Sequence, residues 1–552
     1  MATTVTTRDG IDLPEWRMLS QPVMANISTL NPTGTWIAED YRNNNYAHPI
    51  NMFVITSAGL CGYNFKNDAW GQLTTAFGMG GTFGAGACAV FAPSLSPSGT
   101  LAAGGSTKKI ILTTALPASV GVNQLANRGD GFGFIVRVIG NSAGGSGKIE
   151  ERRCIANTSG TTPTIILESA LSFTPASGDR YEFLSGSFVA LNTGALAANQ
   201  LRRYDCLTSS LSSLVTTNLI ATVPTTGNIL IAMDEAYVPS NRNVGEGQLV
   251  GVSTYGSNAL NLAMGCLLAT SSAAGTLTGQ AAAGDAAVLA NQYRNYQIRI
   301  VEDTAIPTAV GQRRRITSHT AGASPVYTLA TSWTVTPSTT CKYVIENWTD
   351  NIIGLMGGTT TVYNYSISAN TWDTTTWAVK GNTNQTTGAF AYHAFGIVPD
   401  ELNSAKSSNI ILLRGGSTTI DMFDVAGAAT GSWTQGLTML DWSGAFYDLI
   451  GANDCCTMAY NPHTQNGRHL YFYNGIANSS TTFQRSAVRF DSISFKIEKF
   501  AGMRMVSGVI AEQQSVRSWV KLYQDGTTKV AFWACPRPLS NGADFWELMI
   551  IR

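Results

Sequence analysis

The sequence predicts an all-β fold: a β-propeller of about six or seven blades with two homologous inserted β-barrel or β-sandwich domains. Three observations carry this. Glycine is abundant, with 55 in 552 residues, and charged residues are only 13% of the chain. That balance suits many short strands and turns, whereas a disordered chain would carry more charge and fewer aromatics. Apolar strands, glycine or Asn/Asp turns and aromatic residues recur at intervals of about 50–65 residues, the spacing of four-stranded blades. The third observation is a stretch that occurs twice.

The first copy runs from Arg137 to Phe183 and the second from Arg299 to Ile345, and one offset of 162 residues aligns them without a gap. The offset pairs Arg137 with Arg299, Arg152 and Arg153 with Arg314 and Arg315, and Tyr181 with Tyr343. Pro163 falls on Pro325, and the Thr-Pro at Thr174 and Pro175 falls on Thr336 and Pro337. A small domain used twice accounts for this. Its strands are expected in FGFIVRVI, RCIANT, PTIILE and RYEFL of the first copy.

Taken in order, residues 1–50 lack periodicity and read as an N-terminal arm, with a plain first strand plus loops as the alternative. From Asn51 a pattern begins: apolar strand, small or glycine turn, aromatic strand, polar turn, Trp. It appears with Tyr63, Phe65 and Trp70, then with Gly357-Gly358, Tyr365 and Trp372, and again with Gly415-Gly416, Phe423-Asp424 and Trp433. Drifted forms carry Tyr204-Asp205, and Phe490-Asp491 with Ile497 at the Trp position. Tyr63 and Tyr204 lie 141 residues apart, and Tyr204 and Tyr365 lie 161 apart. Removing about 90–100 residues from each gap restores blade spacing. The expected division is therefore an arm (1–50), a blade (51–93), the first inserted domain (94–186), blade structure (187–255), the second inserted domain (256–347) and further blades (348–552). Insertion at a loop leaves a propeller core intact.

Chemistry-bearing motifs are scarce. The five histidines show no H-x-x-x-H or H-E-x-x-H spacing, and there is no G-x-S-x-G. The glycine runs at 78–86 and 143–147 lack the Gly-Lys-Ser/Thr that closes a phosphate loop. No S-x-D-x-G-x-T-W box of the sialidases is present, nor the copper-ligand pattern of galactose-oxidase-like propellers. Asp234 and Glu235 could supply a glycosidase pair only with suitable geometry. No catalytic residue, cofactor or metal is expected, and no enzyme. The nine cysteines form no C-x-x-C and read as reduced, buried thiols.

The N-terminus has neither a basic nor an apolar signal region, and Ala259–Leu277 is too polar for a membrane span. Zero formal net charge gives no support to dominant non-specific nucleic-acid binding. The arginine runs are the one functional hint among the charges. Those at Arg152-Arg153 and Arg314-Arg315 recur in both copies, either as solvated or locally paired side chains or as a subunit- or DNA-facing contact. The residues singled out as duplicated-domain or interface positions are Arg137, Arg152, Arg153, Tyr181, Arg299, Arg314, Arg315, Trp333 and Tyr343.

The double glycine, aromatic and Trp of the units near 353 and 410 resemble the kelch repeat. The second copy also resembles a segment of tailed-bacteriophage structural proteins, through Arg299-Ile300-Val301, Gly311-Gln312, Arg314, Ile316, Trp333, Pro337 and Lys342-Tyr343 with Ile345. The first copy departs from it at Gly-Gln and has Leu171 in place of the Trp. The resemblance implies a virion component of the tail or neck, a nozzle, collar or sheath ring. Its partners would be further copies of itself in a ring, other tail, portal and adaptor proteins, and genomic DNA in the channel. It would assemble in the host cytoplasm. The alternatives are a receptor-binding or tail-fibre-type protein recognising a host glycan, and after that a polysaccharide-degrading enzyme.

Overall fold

In the computed structural model the chain is all-β, and no α-helix occurs among the described residues. The structure describes residues 97–126, 133–140, 149–224, 264–279, 293–346 and 351–367, with short pieces beside them, and elsewhere little beyond the strands named below. Among these residues no helix is long and apolar enough to cross a membrane. The glycine runs (from residue 79 in the first), Gly415-Gly416 and Asp234-Glu235 lie outside them.

Among the described residues one unit recurs six times: four antiparallel strands, each paired with the next, to which the fourth and fifth sheets add a short parallel strand, Cys456–Thr457 and Leu440–Asp441. The first sheet is Trp36–Glu39, Met52–Thr56, Gly59–Asn64 and Ala69–Thr74. The second starts with Cys88–Ser94, which pairs with the end of Arg180–Leu191, followed by Leu201–Asp205 and Ser210–Ser213. The third is Ile229–Ala232, Asn351–Leu355, Val362–Ser366 and Thr371–Asp373. Tyr392–Pro399, Ser408–Arg414, Thr419–Asp424 and Ser432–Thr438 form the fourth. The fifth contains Ala459–Tyr460, His469–Asn474, Ser486–Asp491 and Lys496–Gly502. In the sixth, Glu15–Met18 from the chain's beginning pairs with Trp546–Ile551, beside Lys529–Ala534 and Leu522–Asp525. Residues 1–50, expected as an arm, thus contribute a strand to each of two sheets.

The first strands of successive sheets lie against one another, Trp36–Glu39 and Ile229–Ala232 each flanking Cys88–Ser94. Inner strands that crowd together, with first and last strands sharing a sheet, are the construction of a β-propeller.

The sequence pattern has a defined place in this unit. Its opening strand is the second of each sheet, the aromatic marker lies on the third and the Trp on the fourth. Tyr63 faces Trp70, Tyr365 faces Trp372, Phe423 faces Trp433 and Phe490 faces Ile497 across the register. The aromatic pairs in the third and fourth sheets share a geometry: centroids 4.9 and 4.8 Å apart, both inclined at 43°. Each indole then reaches back along the chain. Trp372 Nε1 donates to Val215 O, and Trp433 Nε1 donates to Ala378 O, both at 3.0 Å. Val215 and Ala378 follow the outer strands of the preceding sheets, so each Trp joins its sheet to the one before.

The turn between third and fourth strands is also repeated. Asp205 Oδ1 accepts from the N–H groups of Leu207 and Thr208, and Asp491 Oδ1 from those of Ile493 and Ser494. Four residues beyond the strand end, Ser209, Asn370 and Phe495 take positive φ values of 52°, 50° and 55°. The Asp side chain supplies the acceptor that holds so tight a reversal.

Long connections occur at one place in the unit, between first and second strands. In the second sheet the intervening chain holds the first repeat, and in the third it holds the second. Strand Cys88–Ser94, which begins within the residues assigned to the first blade (51–93), opens the second sheet, because its partner lies beyond the repeat at Ser185–Leu191. Each repeat encloses its own apolar cluster, Leu101 through Leu207 in one and Ala269 through Ile345 in the other. The remaining clusters span successive sheets. Ala259–Leu277, too polar to span a membrane, contains the strands Met264–Leu268 and Ser271–Ala273.

Candidate functional site: the paired repeats

The duplicated residues build the same sheet twice. Strand Ile135–Ile139 corresponds to Gln297–Glu302, Thr164–Leu167 to Val326–Leu329, and the start of Arg180–Leu191 to Lys342–Glu346. The strands that the repeats share have the same order, and the second repeat adds Ser271–Ala273 at one edge.

Arg152 and Arg314 have the same job within each repeat. Arg152 donates through Nε and Nη2 to Ala170 O, at 3.0 and 2.9 Å, and through Nη1 to Glu151 O. Arg314 Nε donates to Ser332 O at 2.8 Å, and its Nη1 donates to Arg313 O. The acceptors are equivalent positions. The planar fork stitches a strand to the loop beside it, which an ammonium group would do poorly. Nearby, Glu150 takes the N–H of Ser172, and Gln312 takes those of Thr334 and Val335. Arg314 also lies over Trp333, 5.5 Å from the ring centroid, where the first repeat has Leu171.

Arg137 and Arg299, likewise equivalent, converge on one group. Arg137 Nε donates to Glu151 at 2.9 Å and its Nη1 reaches Glu182 at 3.4 Å. Arg299, from the second repeat, donates to the other oxygen of Glu182. Arg137, Glu182 and Arg299 are all buried. Burial alone would raise the Glu182 pKa, but the charge and hydrogen bond of Arg299, with the charges of Arg137 and Arg313, outweigh it and hold the carboxyl at about 2. The two repeats therefore share a buried ionic junction.

Tyr181 and Tyr343 lie inside their repeats. Tyr181 packs edge-on to Phe183 at 5.9 Å and Tyr343 edge-on to Tyr327 at 5.8 Å. Burial pushes the Tyr181 hydroxyl up to about 12.

Arg153 and Arg315 differ from one another. Arg153 lies 3.7 Å from the exposed Glu168 carboxylate. Arg315 donates to Asn295 Oδ1 at 2.6 Å and lies 5.2 Å above the ring of Trp377, which belongs to the cluster between the third and fourth sheets. Asn295 Nδ2 donates to Ala428 O, in the turn before Ser432–Thr438. Arg315 and Asn295 thus seat the second repeat on the propeller.

Residue-type reasoning missed Glu182, Asn295 and His319. Glu182 has Val344 at its equivalent position, so duplication gives it no mark. Among the described residues no group of three His, Cys, Asp or Glu is placed to hold a metal.

No family model matches the chain, and no curated protein does. Solved structures of similar fold include an α-L-arabinanase of Penicillium chrysogenum, at 9% identity and TM-score 0.23, covering 66% of this chain and 90% of that one. An auxiliary nutrient binding protein of Bacteroides thetaiotaomicron matches at 8% identity and TM-score 0.21, covering 83% of this chain and 98% of that one. The GH74 enzyme of Niastella koreensis matches at 8% identity and TM-score 0.19, with 93% and 83% covered. This chain has a β-propeller fold. Likenesses this distant transfer no activity. The expectation of a phage tail or neck ring is corrected by them: the three are two enzymes and a nutrient binding protein, and none is a virion component.

Proposed function

We propose that the chain is a binding scaffold without catalysis of its own: a propeller that holds two inserted β domains as one paired unit toward a macromolecular ligand. The observation supporting this is the junction at Glu182, which takes an arginine from each repeat. A buried ion pair is costly to assemble and weak as a source of stability, but it fixes one arrangement against others. Fixing the mutual orientation of two similar domains serves a surface that both present. The charged groups gathered there are also committed to each other: Glu150 to Arg152, Glu151 to Arg137, and Glu182 to both arginines.

The test is to pass the full chain over immobilised polysaccharides and peptides while assaying the same mixtures for released product. Retention without product is expected. Product release that disappears on substituting a carboxylate would overturn the reading.

A further inference from the structure

Each repeat closes the end of its sheet with a clasp, and the clasps differ in one residue. In the first repeat, Asn123 takes φ +58°. Its N–H donates to Asn157 O at 2.8 Å, and its Oδ1 accepts from the N–H of Asn157 at 3.2 Å. Asn157 Oδ1 accepts from the N–H of Leu125 at 2.9 Å, and its Nδ2 donates to Thr158 O at 3.1 Å. In the second repeat Asn291 has φ +59° and makes the same pair of bonds with His319, at 3.1 and 2.9 Å. His319 Nε2 accepts from the N–H of Tyr293 at 2.8 Å, and Nδ1 pairs with Thr320 O at 2.9 Å. Asn157 Nδ2 also donates to Gly121 O at 2.9 Å, so the imidazole reproduces the amide's acceptor and one of its two donor bonds.

An amide keeps those functions at every pH, and an imidazole does not. With Nδ1–H directed at Thr320 O, Nε2 must be unprotonated to accept from Tyr293. A proton there would face another N–H. His319 is buried, stacked on Tyr293 at 5.7 Å and inclined at 53° to Tyr327 at 5.2 Å. Among the described residues, Tyr293 and Tyr327 are the titratable groups against the ring, Tyr343 lies behind Tyr327, and Arg294 is the charged group near it. Both ring nitrogens are occupied by backbone, so neither is bonded to a carboxylate. Burial lowers the His319 pKa, the bond to Thr320 opposes this, and Arg294 lowers it further.

The loop held by His319 also carries Asn295, whose Nδ2 donates to Ala428 O on the propeller and whose Oδ1 takes Arg315. We propose that His319 is a pH-sensitive latch that secures the second repeat's seat on the propeller near neutral pH and releases its loop on acidification. The first repeat, latched by Asn157, does not respond. The sign follows from the neutral folded form. Its contribution is complete above the unfolded-state value of about 6.5 and is lost as pH falls from there toward the lower folded-state value.

Amide-resolved hydrogen exchange on the full chain tests this, with rates normalised to intrinsic exchange. Between about pH 7.5 and 5, the Tyr293 amide should lose protection by about tenfold or more, while Leu125 in the first repeat changes less than about twofold. His319→Asn should hold Tyr293 protection level across that range. Asn157→His should transfer the response to Leu125. Equal protection of wild-type Tyr293 at both pH values overturns the proposal, as does an equal loss at Tyr293 in the His319→Asn variant. Parallel loss at Leu125 in the wild type would mean general acid loosening and would overturn it too.

Discussion

Glu182 of the first repeat accepts a hydrogen bond from Arg299 of the second, and both side chains are buried. The position equivalent to Arg299 is Arg137, which reaches the same carboxylate from within the first repeat. A duplicated arginine thus meets an acid that was not duplicated, and the two domains become one body.

Acid should weaken this body in a defined window. The Glu182 carboxyl is held at about 2, below its unfolded value of about 4.3. Its contribution is complete above the unfolded value and is lost as pH falls from there through about 2. Urea denaturation at pH 6 and at pH 3 should show a smaller loss of stability for Glu182→Gln than for the wild type, by on the order of 1–2 kcal/mol.

Replacing Arg152 or Arg314 by Lys removes the fork that joins strand to loop. Each substitution should cost about 1–3 kcal/mol in thermal or urea denaturation. The two losses should add, because the forks hold separate loops.

Trp372→Phe and Trp433→Phe each delete the indole N–H that joins a sheet to the preceding one. Each should cost about 1 kcal/mol for the hydrogen bond, with a further loss from the smaller ring. Matched losses by chemical denaturation would support equivalent roles in the two sheets.

Asn123→Ala and Asn291→Ala leave a β-carbon in left-handed backbone without the asparagine side chain that suits it, and remove a clasp acceptor. A cost of about 2 kcal/mol is expected in each repeat, and Gly at the same positions should cost less. Denaturation midpoints of the four variants check this.

Much of the architecture was legible because it repeats. The offset of 162 falls on strand ends in both copies, as at Thr164–Leu167 and Val326–Leu329. The aromatic and Trp markers are cross-strand partners, so one pattern served four sheets. The offset fails toward the start of each repeat, where Asn123 answers to Asn291 at 168, because the first repeat is longer before Ile135–Ile139. His319 was invisible as a functional residue for that reason. Its relation to Asn157 is at the regular offset, but the loop each one holds is not. The arginine runs were noticed, and their roles were not, since backbone carbonyls such as Ala170 O carry no signature in sequence.

The most direct measurement is a double-mutant cycle on Glu182→Gln and Arg299→Gln, read by urea denaturation at neutral pH. If the repeats are joined through this pair, each single substitution strands a buried charge and the double recovers part of the loss, giving a coupling above about 1 kcal/mol. A coupling indistinguishable from zero would contradict the account, because the two domains would then be independent neighbours on the propeller.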